Sequence, residues 1–187
     1  MKDLNKLYQS FETGIRSPKS EKPRQYLKTL GLDYNSLRIG FNSGQFHHSE
    51  PQEAKDHYES LGILKKSNAN VRKTDMTAYK VFGSYGIVFP LLDKAETIVN
   101  LFAIRFNLAS PVEEYLNTGG LYPCYPHSGI KRLFLTPTLL DAASLLQSKA
   151  LDQREAVLAL HNGELLPQHH EAIASLRELE EIIIIKY

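Results

Sequence analysis

The last third of the chain decides the fold. It contains RLFLT at 132–136, TLLDAASLL at 138–146, AVLAL at 156–160 and IIII at 182–185, and a helix that starts with Pro167 is predicted for 167–176. Short apolar runs that alternate with helical segments are typical of βαβ units. Because right-handed crossovers place such strands side by side, this stretch predicts a small parallel sheet built as β-α-β-α-β.

The run IIII at 182–185 shows no polar alternation, which predicts a strand covered on both faces. Replacing Ile184 with Asp is therefore expected to unfold the domain, because an unpaired buried carboxylate costs several kcal/mol or more. Ligands of open α/β sheets bind at the carboxyl ends of the strands. The polar residues expected at that edge are Thr136, Thr138, His161, Asn162 and Glu164.

The rest of the chain predicts an N-terminal helical, basic region with a β-hairpin, so the fold class is α/β. Helices are predicted at 3–13, ending at Gly14, at 23–30 and at 52–61, and the hairpin strands at 86–93 and 98–105. Between 107 and 130 there is no periodicity. The predicted division is an N-terminal helix and mobile linker (1–22), an N-terminal lobe (23–106), a loop (107–130) and a second lobe (131–187).

Three further motifs suggest a family. The segment QYLKTLGL at 25–32 precedes LRIGF at 37–41, the hairpin keeps Phe89-Pro90 and Asp93, and EYLN occupies 114–117. Together with the order of elements in the last third, the chain resembles the Toprim domain and catalytic core of bacterial-type DNA primases over roughly 24–187. In that family the motifs are Y-L-x-x-R-G-L, F-x-I-G-F, R-I-x-F-P-I-x-D and K-Y-L-N-S. No zinc-ligand cluster precedes the matched segment, so the family's zinc module is expected to be absent.

The resemblance implies nucleotide transfer with Mg²⁺, held by a Glu after the first strand of the parallel sheet and an Asp-x-Asp after a later one. The Glu position falls on Pro137, and only Lys186 and Tyr187 follow the last apolar run. Two basic family positions fall on Gly86 and Glu114. We therefore expect no metal site or cofactor in this chain, with Mg²⁺ involved only if a longer chain supplies the missing carboxylates.

Asp141 remains as the one candidate catalytic carboxylate, and it has a structural alternative. Thr138-Leu139-Leu140-Asp141 has the spacing of a capping box, in which Thr138 would cap the helix and Asp141 would reach back to the helix N-terminal amides. The pairs His47-His48 and His169-His170 are predicted to be surface histidines whose side chains diverge. No Gly-x-Ser-x-Gly motif or glycine-rich phosphate loop is present.

Composition is that of an ordinary globular domain. The 187 residues are 42% hydrophobic and 23% charged, and no apolar run approaches the roughly 20 residues of a membrane span. The opening residues lack a secretory signal, and the single Cys124 cannot form an internal disulfide, so a cytoplasmic location without membrane contact is expected. Residues 1–80 carry net charge +5 and residues 81–187 carry −4. This split suits a nucleic-acid partner for the first half and a metal or self-association for the second, and charges scattered over a solvated surface are the alternative.

Basic and polar side chains give the candidate nucleic-acid site. The residues are Lys65, Lys66, Arg72, Lys73, Lys80, Arg105, Asn117, Lys131 and Arg132. Tyr115, Tyr122 and Tyr125 are candidates for stacking on single-stranded bases.

Three functions follow as hypotheses. The first is a primase-related protein of DNA replication or mobile-element maintenance that is catalytically degenerate and binds single-stranded DNA or RNA weakly, with replication proteins as further partners. The second is an active nucleotidyltransferase whose Asp-x-Asp lies beyond Tyr187. The third is a non-enzymatic protein-interaction module that uses an exposed sheet edge.

Overall fold

The computed structural model describes residues 4–67 and 78–186. The helices are α1 (Leu4–Arg16), α2 (Glu21–Thr29), α3 (Gln52–Ser60), α4 (Leu139–Ser148) and α5 (Pro167–Ala174). The strands are β1 (Gly40–Asn42), β2 (Leu64–Lys66), β3 (Tyr79–Val81), β4 (Gly86–Leu92), β5 (Ile98–Arg105), β6 (Val112–Tyr115), β7 (Arg132–Thr136), β8 (Glu155–Ala159) and β9 (Glu181–Ile184). In these two ranges, no helix is long and apolar enough to cross a membrane.

A four-stranded antiparallel sheet forms the first half of the molecule, in the order β1-β4-β5-β6. The predicted hairpin is confirmed as β4 and β5, which pair from Gly86 opposite Arg105 to Leu92 opposite Ile98. Every residue of β4 is buried, because both faces of the sheet are covered. Pro90 is tolerated there since β1 pairs only with the residues from Gly86 to Val88, so no neighbour on that side needs its N–H.

Helix α1 packs its apolar stripe onto this sheet, and Gly14 does not end it. The helix continues to Arg16 and buries Ile15 completely. A Cβ on Gly14 would lie 2.9 Å from the carbonyl oxygen of Phe41. The glycine therefore permits close approach of helix and strand, and the predicted helix end was wrong because the two uses of glycine cannot be told apart from sequence.

The segment predicted as a mobile linker at 16–22 is tied to α1. The Ser20 hydroxyl donates to the Gly14 carbonyl at 2.7 Å, and the Arg24 guanidinium donates to the carbonyls of Ile15 (3.0 Å) and Ser17 (2.6 Å). Helix α2 already begins at Glu21. These bonds satisfy carbonyls at the end of α1 and join the two helices. The mobility of the segment stays a prediction.

Strands β2 and β3 form a separate two-stranded antiparallel sheet, here called the basic ribbon. Leu64 pairs with Val81, and both are buried against α3 and its surroundings. Lys65 pairs with Lys80, and both are exposed. The sequence did not predict this ribbon, because strands of three residues carry too little pattern.

The predicted parallel sheet is confirmed. Its order is β8-β7-β9, and β7 pairs in parallel with β8 from Arg132 opposite Glu155 to Thr136 opposite Ala159. In the central strand β7, Leu133 and Leu135 are 0% and 2% exposed. Helix α4 packs on one face, where Leu139, Ala142 and Ala143 join the largest core cluster, and Ala172 of α5 joins Leu133 and Leu135 in another.

Strand β9 differs from its prediction. It lies at the edge of the sheet, and Ile182 and Ile184 are 43% and 55% exposed. An apolar run without alternation therefore did not indicate coverage on both faces. The premise of the Ile184→Asp expectation, a buried side chain, is therefore wrong, and we now expect a much smaller loss of stability because a carboxylate there stays in contact with water.

The region 107–130 is not structureless. It contains β6, which pairs with β5 from Val112 opposite Arg105 to Tyr115 opposite Phe102. Leu121 forms an isolated bridge with Leu92. The largest core cluster includes side chains from both predicted lobes, such as Phe89 and Val157. The division of the chain into lobes stays a prediction.

Candidate functional site

At the carboxyl end of β7, the Thr136 side chain is turned inward. The residue is fully buried, and its hydroxyl donates to the Thr138 carbonyl at 3.0 Å. This bond satisfies a polar group that has left water and shapes the turn into α4. Thr136 therefore serves the fold at this edge and offers no group to a ligand.

Thr138 and Asp141 form the predicted cap of α4. The Thr138 hydroxyl oxygen accepts from the Asp141 backbone N–H at 3.2 Å, as an N-cap does. The Asp141 carboxylate accepts from the Thr138 hydroxyl at 2.5 Å. Thr138 is thus confirmed as the cap, but the carboxylate binds its hydroxyl instead of a backbone amide.

The segment 161–164 forms a tight turn after β8. His161 and Glu164 exchange both backbone hydrogen bonds, at 3.1 and 3.0 Å. Asn162 and Gly163 have φ angles of 53° and 81°, which Asn and Gly adopt with least strain. The turn carries the His161 ring to the carboxyl edge of the sheet.

There the His161 ring stacks on Tyr115 of β6, with ring centroids 3.7 Å apart and planes inclined by 29°. Burial and the neighbouring His169 lower the pKa of His161. Burial, with a contribution from Glu113, raises the pKa of Tyr115 to about 12. A neutral ring pair thus closes the gap between the two sheets at this edge.

One histidine of each pair has the predicted surface character and the other does not: His48 and His170 are exposed, whereas His47 and His169 are buried. His169 is 2% exposed, accepts from the Leu166 N–H at 3.0 Å through Nδ1, and its Nε2 lies 3.0 Å from the Ala159 carbonyl oxygen. His47 is 6% exposed, and its ring centroid lies 4.2 Å from that of His48, so those side chains do not diverge. Burial lowers the pKa of both His47 and His169. Both rings belong to the packed interior.

Glu114, which the sequence resemblance matched with the family's Lys, is held within the antiparallel sheet. Its Oε1 accepts from the Gly83 backbone N–H at 2.8 Å and lies 3.2 Å from Arg105 Nε. The Arg105 Nε makes an ion pair without an aligned hydrogen bond. Arg105 is therefore neutralised within the chain and is a poor candidate for a phosphate contact.

Asp141 affects one further carboxyl group. Burial raises the pKa of Glu113, and the charge of Asp141 raises it further. The sequence did not single out Glu113, because β6 was not predicted.

These residues do not fit the magnesium site that the resemblance implies. Mg²⁺ in such sites is held by converging carboxylates together with the substrate's phosphates. In the residues that the structure describes, no three His, Cys, Asp or Glu side chains converge to hold a metal ion. Pro137 contributes no oxygen from its side chain, and Asp141 is engaged in the helix cap. No catalytic step through a metal ion can be derived from this arrangement.

Several candidate nucleic-acid residues are held by partners in the chain. Lys131 pairs with Glu180, and Arg132 bridges Glu155 at 2.6 Å and Glu181 at 2.9 Å. Lys131 and Arg132 lie at the amino end of β7, opposite the ligand edge. Lys66 pairs with Glu59 at 3.2 Å.

Asn117 serves the loop that follows β6. Its side chain donates to the Val99 carbonyl at 3.0 Å and accepts from the Gly119 N–H at 2.7 Å. Buried Asn100 completes the network by binding the Asn117 and Gly119 carbonyls. These bonds assign Asn117 a structural role.

The proposed stacking tyrosines are mostly occupied as well. Tyr115 lies in β6 against His161, and Tyr122 is 4% exposed against Phe89. Tyr125 is half-buried, with Lys94 Nζ 5.9 Å from its ring centroid. The loop therefore does not present a row of free aromatic faces.

Lys65 and Lys80 differ from the other candidates. They are exposed, face each other across the basic ribbon, and have no ion-pair partner among residues 4–67 and 78–186. Arg72 and Lys73 lie outside the described residues. For Lys65 and Lys80, the sequence signal was the alternation of apolar and basic residues in Leu64-Lys65 and Lys80-Val81. That signal becomes informative only once the register of the two strands is known.

Searches with the sequence found no matching family model and no matching curated protein. Solved structures give a clear result. A DnaG primase catalytic domain bound to ssDNA has a TM-score of 0.74 and 16% identity, with 97% of this chain and 58% of that chain covered. A DNA primase domain from Pseudomonas aeruginosa has a TM-score of 0.72 and 16% identity, with 97% and 59% covered.

The RNA polymerase domain of Mycobacterium tuberculosis DnaG, in complex with a double-stranded DNA oligomer with an overhang, has a TM-score of 0.67 at 11% identity. The match covers 95% of this chain and 60% of that chain. This chain thus spans less than two thirds of the length of each of these structures. It has the Toprim-containing fold of the catalytic core of DnaG-type DNA primases.

Proposed function

We propose that this chain binds single-stranded DNA or RNA through its basic ribbon and does not itself make primers. The observation that carries the proposal is the pairing of Lys65 directly opposite Lys80 on the exposed face. Like charges directly opposite each other destabilise a strand pair. A phosphate group between the two ammonium groups would remove that repulsion, and phosphates are what basic nucleic-acid sites neutralise.

The carboxyl edge supports the second half of the proposal. Thr136 and Asp141 are engaged in the local fold, Pro137 stands at the family's Glu position, and Glu114 neutralises Arg105. Nucleotide transfer requires a general base, ligands for a metal ion and basic partners for the nucleotide phosphates. The residues named here do not supply these groups at the carboxyl edge. Binding without primer synthesis is the function that this distribution of charge supports.

Two observations on other proteins support a nucleic-acid partner. The solved structures of similar fold include a primase catalytic domain bound to ssDNA and one in complex with DNA carrying an overhang. By analogy of fold, we place this chain in DNA replication or mobile-element maintenance, with replication proteins as further partners.

The test is the salt dependence of binding to a labelled single-stranded oligonucleotide. Each neutralised phosphate contributes about 0.7 to the log-log slope for single strands, so a Lys65→Ala/Lys80→Ala variant, which loses the one phosphate shared by the two lysines, should lose affinity and about 0.7 of slope. The matched control is Lys131→Ala/Arg132→Ala, which removes the same charge from the ion-paired amino edge and should keep the slope. Equal losses in both variants, or no binding by the parent chain at low salt, would refute the ribbon as the site.

The alternative is an active nucleotidyltransferase that obtains its Asp-x-Asp from sequence beyond Tyr187. Template-dependent primer synthesis by the purified 187-residue chain with Mg²⁺ or Mn²⁺ would contradict our proposal. Pro137→Glu alone should not create activity, because Gly86 and Glu114 still stand at the two basic positions. A protein-interaction role remains a separate candidate, supported by the exposed edge of β9.

A further inference from the structure

A groove lies beside the part of β4 that β1 does not cover. β1 pairs with β4 only from Gly86 to Val88, and Pro90 beyond them borders the groove. The groove has a volume of about 270 Å³, and its walls include Leu37, Arg38, Pro90, Tyr122, Pro123 and Leu146. These residues come from both sheets and from α4, and small-molecule sites are frequent at such junctions.

The groove is separate from the carboxyl edge of the parallel sheet. Its residue on α4 is Leu146, near the C-terminal end of the helix, whereas the carboxyl edge meets the same helix at its N-cap, Thr138. The helical stretch between these two positions spans about 12 Å. A ligand in the groove would therefore not occupy the place of the family's metal site.

Arg38 brings a charged group to the groove. Its Nε lies 3.5 Å from Glu12 Oε1, and its guanidinium carbon lies 5.4 Å from the centroid of the Tyr8 ring. These contacts position the side chain but use only one of its nitrogens. Within residues 4–67 and 78–186, the two terminal nitrogens of Arg38 have no hydrogen-bond partner. The terminal end of a guanidinium binds carboxylate and phosphate groups through paired hydrogen bonds.

The charges around Tyr8 favour an anion. One carboxylate, that of Glu12, and two guanidinium groups, those of Arg16 and Arg38, act on the Tyr8 hydroxyl, so positive charge is in excess there. Burial raises the pKa of this hydroxyl well above its usual value, so the group stays protonated. It has no hydrogen-bond partner in the described part of the chain. Because Tyr122 of the groove also acts on Tyr8, an unused donor lies close to the groove.

We propose that this groove binds a small organic anion, with its carboxylate or phosphate group on Arg38 and its apolar body between Pro90 and Leu146. The volume sets the size of the ligand. A cavity of about 150 Å³ accommodates benzene, so a groove of about 270 Å³ has room for one ring together with an anionic group. This inference goes beyond the proposed function and does not depend on it.

Phenyl phosphate and phenylacetate are the probes that test this class of ligand. Isothermal titration calorimetry should show saturable binding of both anions by the parent chain. Inorganic phosphate carries the charge without the apolar body, and 2-phenylethanol carries the body without the charge. Each of these two controls should bind at least about tenfold more weakly, because it lacks one of the two contacts. Either bound anion should also raise the melting temperature of the chain.

Variants of the groove locate the site. Arg38→Gln removes the charge and should weaken binding of both anions by about tenfold or more. Its matched control is Arg177→Gln, at an exposed arginine that does not line the groove, which should bind like the parent. Leu146→Trp fills the groove and should abolish binding. The Arg38 side chain is 50% exposed, so Arg38→Gln should melt close to the parent and remain a valid test if Leu146→Trp does not fold.

Three results would overturn the inference. The first is a parent chain that shows no saturable binding of either anion. The second is equal affinity for 2-phenylethanol and phenylacetate, which would mean that the groove does not select an anion. The third is a folded Arg38→Gln variant that binds both anions as tightly as the parent. The Lys65→Ala/Lys80→Ala variant should bind both anions like the parent, so this test and the oligonucleotide test fail or succeed separately.

Discussion

The charged side chains of the basic ribbon and those of the parallel sheet have different neighbours. In the parallel sheet Arg132 lies between two carboxylates, Lys131 has Glu180, and Asp141 binds a hydroxyl. In the ribbon, Lys65 faces Lys80. Charges that are paired within the fold serve stability, whereas charges held against each other remain available to a ligand. The comparison supports our proposal that binding takes place at the ribbon, whereas the charged side chains of the parallel sheet stabilise the fold.

The largest effect is expected from a charge in the centre of the parallel sheet. Leu135→Asp should lower the free energy of unfolding by several kcal/mol, because it buries an unpaired carboxylate at a position that is 2% exposed. Its matched control, Ile184→Asp on the edge strand, should cost far less, since that side chain is 55% exposed. Urea denaturation of dilute protein measures both. Comparable losses would contradict the placement of β9 at the edge.

A smaller effect is expected at the closed carboxyl edge. Thr138→Ala should destabilise the protein by about 1 kcal/mol, because it removes the cap of α4. Thr138→Ser keeps the hydroxyl and should retain most of that stability. Thermal melting and oligonucleotide titration should show a lower melting temperature for Thr138→Ala with unchanged binding. A loss of binding without a loss of stability would mean that this edge takes part in recognition.

The smallest effect has the opposite sign and belongs to the ribbon. Lys80→Glu should stabilise the protein by about 0.2–1 kcal/mol, since it converts a repulsive cross-strand pair into an attractive one. The same change should weaken binding to single strands, and Lys80→Ala should lie between the two in both measurements. If Lys80→Glu lowers the melting temperature, Lys65 and Lys80 do not repel each other and the comparison fails.

Long and strongly patterned features followed from the sequence. The hairpin of β4 and β5, the parallel strands β7, β8 and β9, and the cap at Thr138 were all predicted, because each depends on contacts between residues close in sequence or on runs of apolar side chains. The resemblance also assigned the family's Glu position to Pro137, and this assignment, which uses the residues alone, stays a prediction. No packing information is needed to see that proline cannot transfer a proton.

Other features of the fold depend on which parts of the folded chain contact each other. The short strands β2, β3 and β6 form because their partner strands supply the hydrogen bonds of the ladder. Their own three or four residues carry too little sequence pattern to predict a strand. His169 is buried because its ring nitrogens meet a backbone amide and a carbonyl. Glu114 became an internal partner of Arg105 only through the register of β5 and β6.

The isoleucines of β9 show where the boundary lies. The sequence by itself determined that 182–185 would form a strand of the parallel sheet, because a β-branched apolar run has few other stable conformations. Only the tertiary structure decided that this strand would lie at the edge with Ile182 and Ile184 exposed. The reason is that burial depends on what packs against a residue. No property of the residue itself specifies whether that neighbour is a helix, a second copy or water.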